Sequence, residues 1–129
     1  MTVSISSEAL AAIRAHAAEE PGREVCGLLL GRDGHVTIAL RTANVADDPS
    51  RAFEIDPKAL IAAYRAERTG GHQLLGNYHS HPDGHAAPSE TDLACSAGDG
   101  KLWVIVAGGE VRAWASNPAR FVPVQLFVS

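Results

Sequence analysis

The sequence predicts an α/β or α+β sandwich, a largely β sheet with interleaved helices. Three observations carry that expectation. Residues 25–31 (VCGLLLG), 101–107 (KLWVIVA) and 121–128 (FVPVQLFV) are apolar runs of strand length, too brief for buried helices. Two longer segments, 6–22 and 56–71, carry helical periodicity between recognisable start and stop signals. Glycine and proline punctuate the boundaries.

Taken in order, SSEALAAIRAHAAEEPG opens with serine caps, sets Leu10, Ile13 and Ala17 on one helical face, and stops at Pro21-Gly22. The strand at 25–31 joins a second, HVTIALRTAN (35–44), through the turn Arg32-Asp33-Gly34. RAFEI (51–55) is read as a short edge strand. The next helix has Asp56 as N-cap, Pro57 at its first position, a stripe of Leu60, Ile61 and Tyr64, and Gly70-Gly71 at its end. QLLGNYHSH (73–81) is a strand closed by Pro82, SETDLACSAG (89–98) a short helix. Residues 101–107, 110–115 and 121–128 complete the sheet.

With 129 residues, 46% hydrophobic and 20% charged, the chain is expected to form one domain over 1–129 with a core that needs no staples. A net charge of −4 with no basic run suggests neither a nucleic-acid nor an anionic-membrane partner. No apolar stretch approaches the ~20 residues of a membrane span, and the N-terminus lacks a signal pattern, so a cytoplasmic protein is expected. Cys26 and Cys95 lie in no CxxC pair and are read as buried thiols. Of six histidines, half fall between 79 and 85.

That cluster lies in NYHSHPDGHAAPSETD, residues 77–92. Side chains alternate along a strand, so His79 and His81 share a face while Ser80 points away. Two imidazoles so placed can reach one ion at about 2.0–2.1 Å each. Asp92, in the first turn of the following helix, can supply a third ligand and leave a fourth position for water, as catalytic zinc sites do. The same residues also fit a plain helix start, with Ser89 as cap and Asp92 favouring the dipole. The two readings are compatible, because a capped helix presents Asp92 rigidly. Upstream, Glu24 opens an apolar strand, where a carboxylate is either exposed at the strand end or in need of a partner. By type and position it is the candidate base for an attacking water.

His79-Ser80-His81-Pro82, then Ser89 and Asp92, with Glu24 ahead of Val25-Cys26-Gly27-Leu28-Leu29-Leu30-Gly31, resembles the JAMM (MPN-plus) zinc metalloproteases, in their compact prokaryotic branch. The resemblance runs along essentially the whole chain and implies a curved mixed β-sheet flanked by helices, a cytidine-deaminase-like sandwich. It implies one Zn2+ per chain, with a bound water, held by His79, His81 and Asp92. Glu24 would shuttle the proton of that water, and Ser89 would donate to the oxyanion. The implied substrate is an amide bond after the C-terminal Gly-Gly of a ubiquitin-like protein, such as a sulfur carrier, or its conjugate. RAFEI is then the expected edge for the tail, and the compact loops argue against selecting a ubiquitin-chain linkage. A cell-wall or phage-tail peptidase is a weaker alternative. A non-catalytic, zinc-stabilised MPN-type binding or scaffold module is the alternative from another class.

Among the remaining residues, His85 is expected to be an exposed loop histidine, and Asp83 and Glu90 fall off the pattern. Cys26, Trp103 and Trp114 read as core. His16, His35 and His72 show no ligand spacing.

Overall fold

The computed structural model describes residues 2–129. Its elements are β1 (Thr2–Ile5), α1 (Ser7–Glu19), β2 (Cys26–Arg32), β3 (His35–Thr42), α2 (Pro57–Arg68), β4 (Gln73–Ser80), α3 (Glu90–Cys95), β5 (Leu102–Ala107), β6 (Glu110–Ser116) and β7 (Phe121–Val128). The strands form one mixed sheet in the order β1-β3-β2-β4-β5-β6-β7. Its curvature continues until β1 pairs in parallel with both β3 and β7, which closes the sheet on itself.

Helix α1 begins where Ser6 Oγ accepts from Ala9 N at 3.1 Å. It packs against the interior of the closed sheet. Ala9 and Ile13 lie in one buried cluster with residues from every strand, among them Ile5, Leu29, Val36, Tyr78, Val104, Ala113 and Val124. Each such aliphatic side chain contributes about 1.5–3 kcal/mol on burial. Helix α2, capped by Asp56 with Pro57 in its first turn, covers the outer face. There Ala63 packs with Ile55 and with Cys26, Leu28 and Leu74 of β2 and β4. Because β2 pairs with β4 at Cys26–His79 and Leu28–Asn77, this outer face is also the one His79 occupies.

Two glycines let the central strands carry this arrangement. A Cβ on Gly27 would run into the Tyr78 ring and the Leu40 carbonyl, and one on Gly76 would run into the Leu102 backbone. Only glycine permits so close an approach.

Several sequence expectations change. Strand β1 was not foreseen; TVSI is short, and its strand character comes from its two neighbours. RAFEI is not a strand: only Ile55 makes an isolated antiparallel bridge, to Asn44, so no edge strand is present there. On α2, Ile61 and Tyr64 are 52% and 45% exposed, and the buried position is Ala63. The helix meets the sheet along a narrower stripe than its apolar residues suggest. Cys26 is a buried free thiol as expected, whereas Cys95 is exposed.

Inside the core, His16 Nδ1 bonds the Tyr78 hydroxyl at 2.7 Å, tying α1 to β4. Burial lowers the His16 pKa from 6.5, and Arg41 adds to the effect against Glu19 and Glu20. The folded state therefore favours the neutral ring. As pH falls through about 6.5 the unfolded chain takes up this proton first, so the contribution is full above that value and lost below it. Thermal midpoints measured between pH 7 and pH 5 should fall more steeply for the wild type than for His16→Gln. Parallel curves would show that protonation of His16 does not set the pH dependence.

Candidate metal centre

β4 delivers the first ligand-type side chain, and its pairing with β5 delivers the second. His81 follows the strand, yet its N–H donates to Val106 O at 3.0 Å, which prolongs the parallel ladder. The alternation therefore persists through residue 81. Both imidazoles reach the same point, with their Nε2 atoms 3.0 Å apart. Ser80, between them, faces the other way. Its Oγ accepts from Val25 N at 2.9 Å and donates to Arg23 O at 3.4 Å, clamping the segment that carries Glu24.

Two further ties fix Glu24. Its N–H donates to Pro49 O at 2.7 Å, and Asn44 Nδ2 donates to its carbonyl at 2.8 Å. The Asn44 carboxamide also bonds Ala52 O, Ala46 N and Glu54 N, so one side chain organises the whole connection before α2. Neither Asn44 nor Ser80 stood out in the sequence. The alternation rule that aligns the two histidines does imply that Ser80 faces whatever lies behind them.

The loop after Pro82 turns back tightly. Asp83 Oδ1 accepts from His85 N at 2.9 Å, Gly84 takes a φ of 83°, and Ala86 is buried against Ile105 and Ala107. The exposed His85 contributes through its backbone, since its carbonyl accepts from His81 Nδ1 at 2.7 Å. That bond fixes a proton on Nδ1 and leaves Nε2 as the atom that faces the cluster. α3 then opens with a reciprocal cap. Ser89 Oγ accepts from Asp92 N at 3.0 Å, while Asp92 Oδ2 accepts from Ser89 N at 2.9 Å.

The result is a convergence of four buried residues. Ligand atoms of Glu24, His79, His81 and Asp92 all lie within 4.8 Å of one another. His79 Nε2 and His81 Nε2 stand 3.2 and 3.0 Å from Asp92 Oδ2. Phe53 stacks on the His79 ring at 4.1 Å, and Trp103 meets it edge-on at 5.6 Å. On the open side lies a cleft of about 220 Å³ lined by Glu24, Ser50, Arg51, His81, Asp83 and Ser89.

Charge is distributed unevenly here. Burial raises the Glu24 pKa to about 7, against the pull of His81. Burial also lowers His79 despite Asp92. Burial disfavours charge on Asp92 too, but hydrogen bonds from His79 and His81 hold its carboxyl well below the usual range. His81 is raised: burial opposes its charge, but Asp92, the His85 carbonyl and Glu24 outweigh it. Two carboxylates and two imidazoles thus converge in one buried volume, a donor set that a divalent cation would stabilise.

The structure brings all five residues of the expected site to one place, with Ser89 at the cleft and the other four in the cluster. Glu90 is exposed, and Cys26 bonds Thr42 and the Ala43 carbonyl instead of joining the cluster. Trp103 is buried and Trp114 half-buried. His16, His35 and His72 stay outside the cluster. Phe53, which the sequence did not mark, forms part of the site wall.

A closed mixed sheet with this His-His-Asp-Glu cluster on its outer face defines a class of protein, and comparison with known proteins agrees. Residues 6–117 match the family described as prokaryotic homologs of the JAB domain. The chain belongs to that family, the prokaryotic branch of the JAMM/MPN proteins. It is 35% identical over 131 residues to a desampylase of Haloferax volcanii, covering 95% of this chain and 94% of the relative. It is also 41% identical over 80 residues to a probable TtuB-protein conjugate cleaving protease of Thermus thermophilus, covering 62% of this chain and 53% of that one. A solution structure from Desulfitobacterium hafniense superposes with a TM-score of 0.81 at 25% identity, covering 99% of this chain and 94% of the other. A JAB1/MPN domain protein from Archaeoglobus fulgidus shares the fold, with a TM-score of 0.64 at 21% identity over 98% and 99% of the two chains.

The Ser80 clamp is directly testable. Ser80→Ala strands the buried Val25 N–H and should cost about 1–3 kcal/mol in a denaturant titration. A change under about 0.5 kcal/mol would show that the bond holds nothing in place.

Proposed function

We propose that the protein is a zinc-dependent peptidase or isopeptidase that hydrolyses the amide bond after the C-terminal Gly-Gly of a ubiquitin-like protein or its conjugate. The observation that carries this reading is the convergence of His79, His81, Asp92 and Glu24 beside an open cleft. The donor set suits zinc: two imidazole nitrogens and a carboxylate are the ligands of open, catalytic zinc sites. Glu24 Oε1 is buried with no hydrogen-bond partner, so its lone pairs remain free for a proton. Among the described residues no cysteine enters the cluster, and this favours an open site over a structural one closed by thiolates.

In this reading His79, His81 and Asp92 hold the metal. Zinc bound there would supply a Lewis acid and lower the pKa of water to about 7. Glu24 takes the proton of the attacking water and passes it to the leaving amine. Its pKa, raised by burial to about 7, matches a group that must accept and release a proton at neutral pH. Ser89 Oγ already accepts from Asp92 N, so its own hydrogen is left to donate toward the oxyanion that forms at the cleft.

The substrate class follows from two lines of support. Relatives are named desampylase and probable TtuB-protein conjugate cleaving protease, which supports a protein conjugate as the substrate. The cleft beside Glu24 is small, about 220 Å³. Glycine, lacking a side chain, is the residue that lets a peptide backbone approach such a centre closely. A ubiquitin-like sulfur carrier ending in Gly-Gly meets both conditions.

The test follows intact mass with time, using zinc-loaded protein and a ubiquitin-like sulfur carrier extended beyond Gly-Gly, free or conjugated to a lysine. The wild type should release everything beyond the diglycine. Glu24→Gln should keep one zinc per chain and lose about 10²–10⁴-fold in rate. Equal turnover by the variant would overturn the role of Glu24, and no release by a zinc-loaded wild type would overturn the substrate.

A further inference from the structure

The two histidines of the cluster differ in one respect. His81 has an acceptor for its remote nitrogen, the His85 carbonyl at 2.7 Å. His79, fully buried, has none: its Nδ1 makes no hydrogen bond. A histidine that binds a metal through Nε2 must carry its proton on Nδ1. Such histidines ordinarily donate that N–H to an acceptor that orients the ring. A second buried atom also lacks a partner, Asn77 Oδ1, and Asn77 is two residues upstream on the same strand.

We propose that Asn77 is a positioning residue for the metal centre, its carboxamide oxygen accepting the His79 Nδ1–H directly or through one bridging water. The inference rests on the metal reading above. Residues two apart on a strand share a face, so both side chains project from the outer side of β4. The sheet register sets Asn77 beside Leu28 on β2 and Trp103 on β5. Asn77, Phe53 and Trp103 line one groove of about 550 Å³, and both of those aromatic rings lie against His79. The rings that lie against His79 are Phe53 and Trp103, and its cross-strand neighbours are Cys26 and Ile105; none of these side chains offers an acceptor oxygen. The donor left over on His79 and the acceptor left over on Asn77 are complementary, and pairing them removes two buried unsatisfied atoms at once.

The role is orientational. Asn77 touches neither the metal position nor the cleft beside Glu24. Held by its oxygen, the His79 ring keeps Nε2 aimed at Asp92, while Phe53 fixes the plane of the ring by stacking.

Three proteins decide the matter: wild type, Asn77→Leu, which keeps the branched shape and removes the acceptor, and Asn77→Asp, which keeps an acceptor oxygen. Zinc affinity is read by competition with a chelator, and the His79 Nδ1–H by proton-detected NMR of the zinc-loaded forms. Asn77→Leu should bind zinc about 10–100-fold more weakly and lose the protected Nδ1–H resonance. Asn77→Asp should retain both. If Asn77→Leu fails to fold, Asn77→Ala, which also lacks a side-chain acceptor, is read in the same way. Zinc affinity within twofold of wild type and an unchanged Nδ1–H signal in the acceptor-free protein would overturn the proposal. So would a loss of turnover with both readouts intact, which would assign Asn77 to the substrate. A wild type that binds no zinc would instead overturn the metal reading itself.

Discussion

Two imidazoles and two carboxylates buried within a few ångströms of one another are the constraint around which the structure is organised. Burying such groups is costly unless each finds a partner of opposite charge or a hydrogen bond. The protein supplies part of this internally. Asp92 draws both histidines and the Ser89 amide toward itself, and His81 leans on a backbone carbonyl. What remains is a surplus of lone pairs pointing at one place. A divalent cation would resolve that surplus.

Such a cluster needs a rigid support, and the closed sheet provides it. β4 sits between β2 and β5. One of its faces carries Tyr78 into the interior packed by α1, and the other carries His79 into the site. Gly27 and Gly76 allow the flanking strands to close on it. Glu24 arrives from the segment just ahead of β2, pinned by Ser80, Pro49 and Asn44. Asp92 arrives from α3, pinned by its cap. The elements differ, but each functional side chain is anchored by backbone hydrogen bonds within a residue or two of itself. Such anchoring keeps small displacements out of the cluster.

Much of this was legible in the residues. The spacing of His79 and His81 on a strand and of Ser89 and Asp92 across a helix start depends only on local geometry, which sequence specifies well. Glu24 was visible as a carboxylate at the head of an apolar run. The features that escaped are those fixed by distant partners. β1 is a strand because β3 and β7 flank it, which TVSI alone does not say. RAFEI has strand-like residues, yet Asn44 binds its carbonyl and amide groups and bends the segment into a loop. Ile61 and Tyr64 follow the helical period but lie beyond the strip of α2 that the sheet covers. Phe53 and Asn77 join the site through contacts no local pattern encodes.

X-ray absorption at the zinc edge, on protein loaded with one equivalent of zinc, reads the donor set directly. Zinc held by His79, His81 and Asp92 should show two imidazole nitrogens and oxygen donors at about 2.0–2.2 Å, with no sulfur. A sulfur shell near 2.3 Å, or zinc that fails to bind, would rule out this donor set.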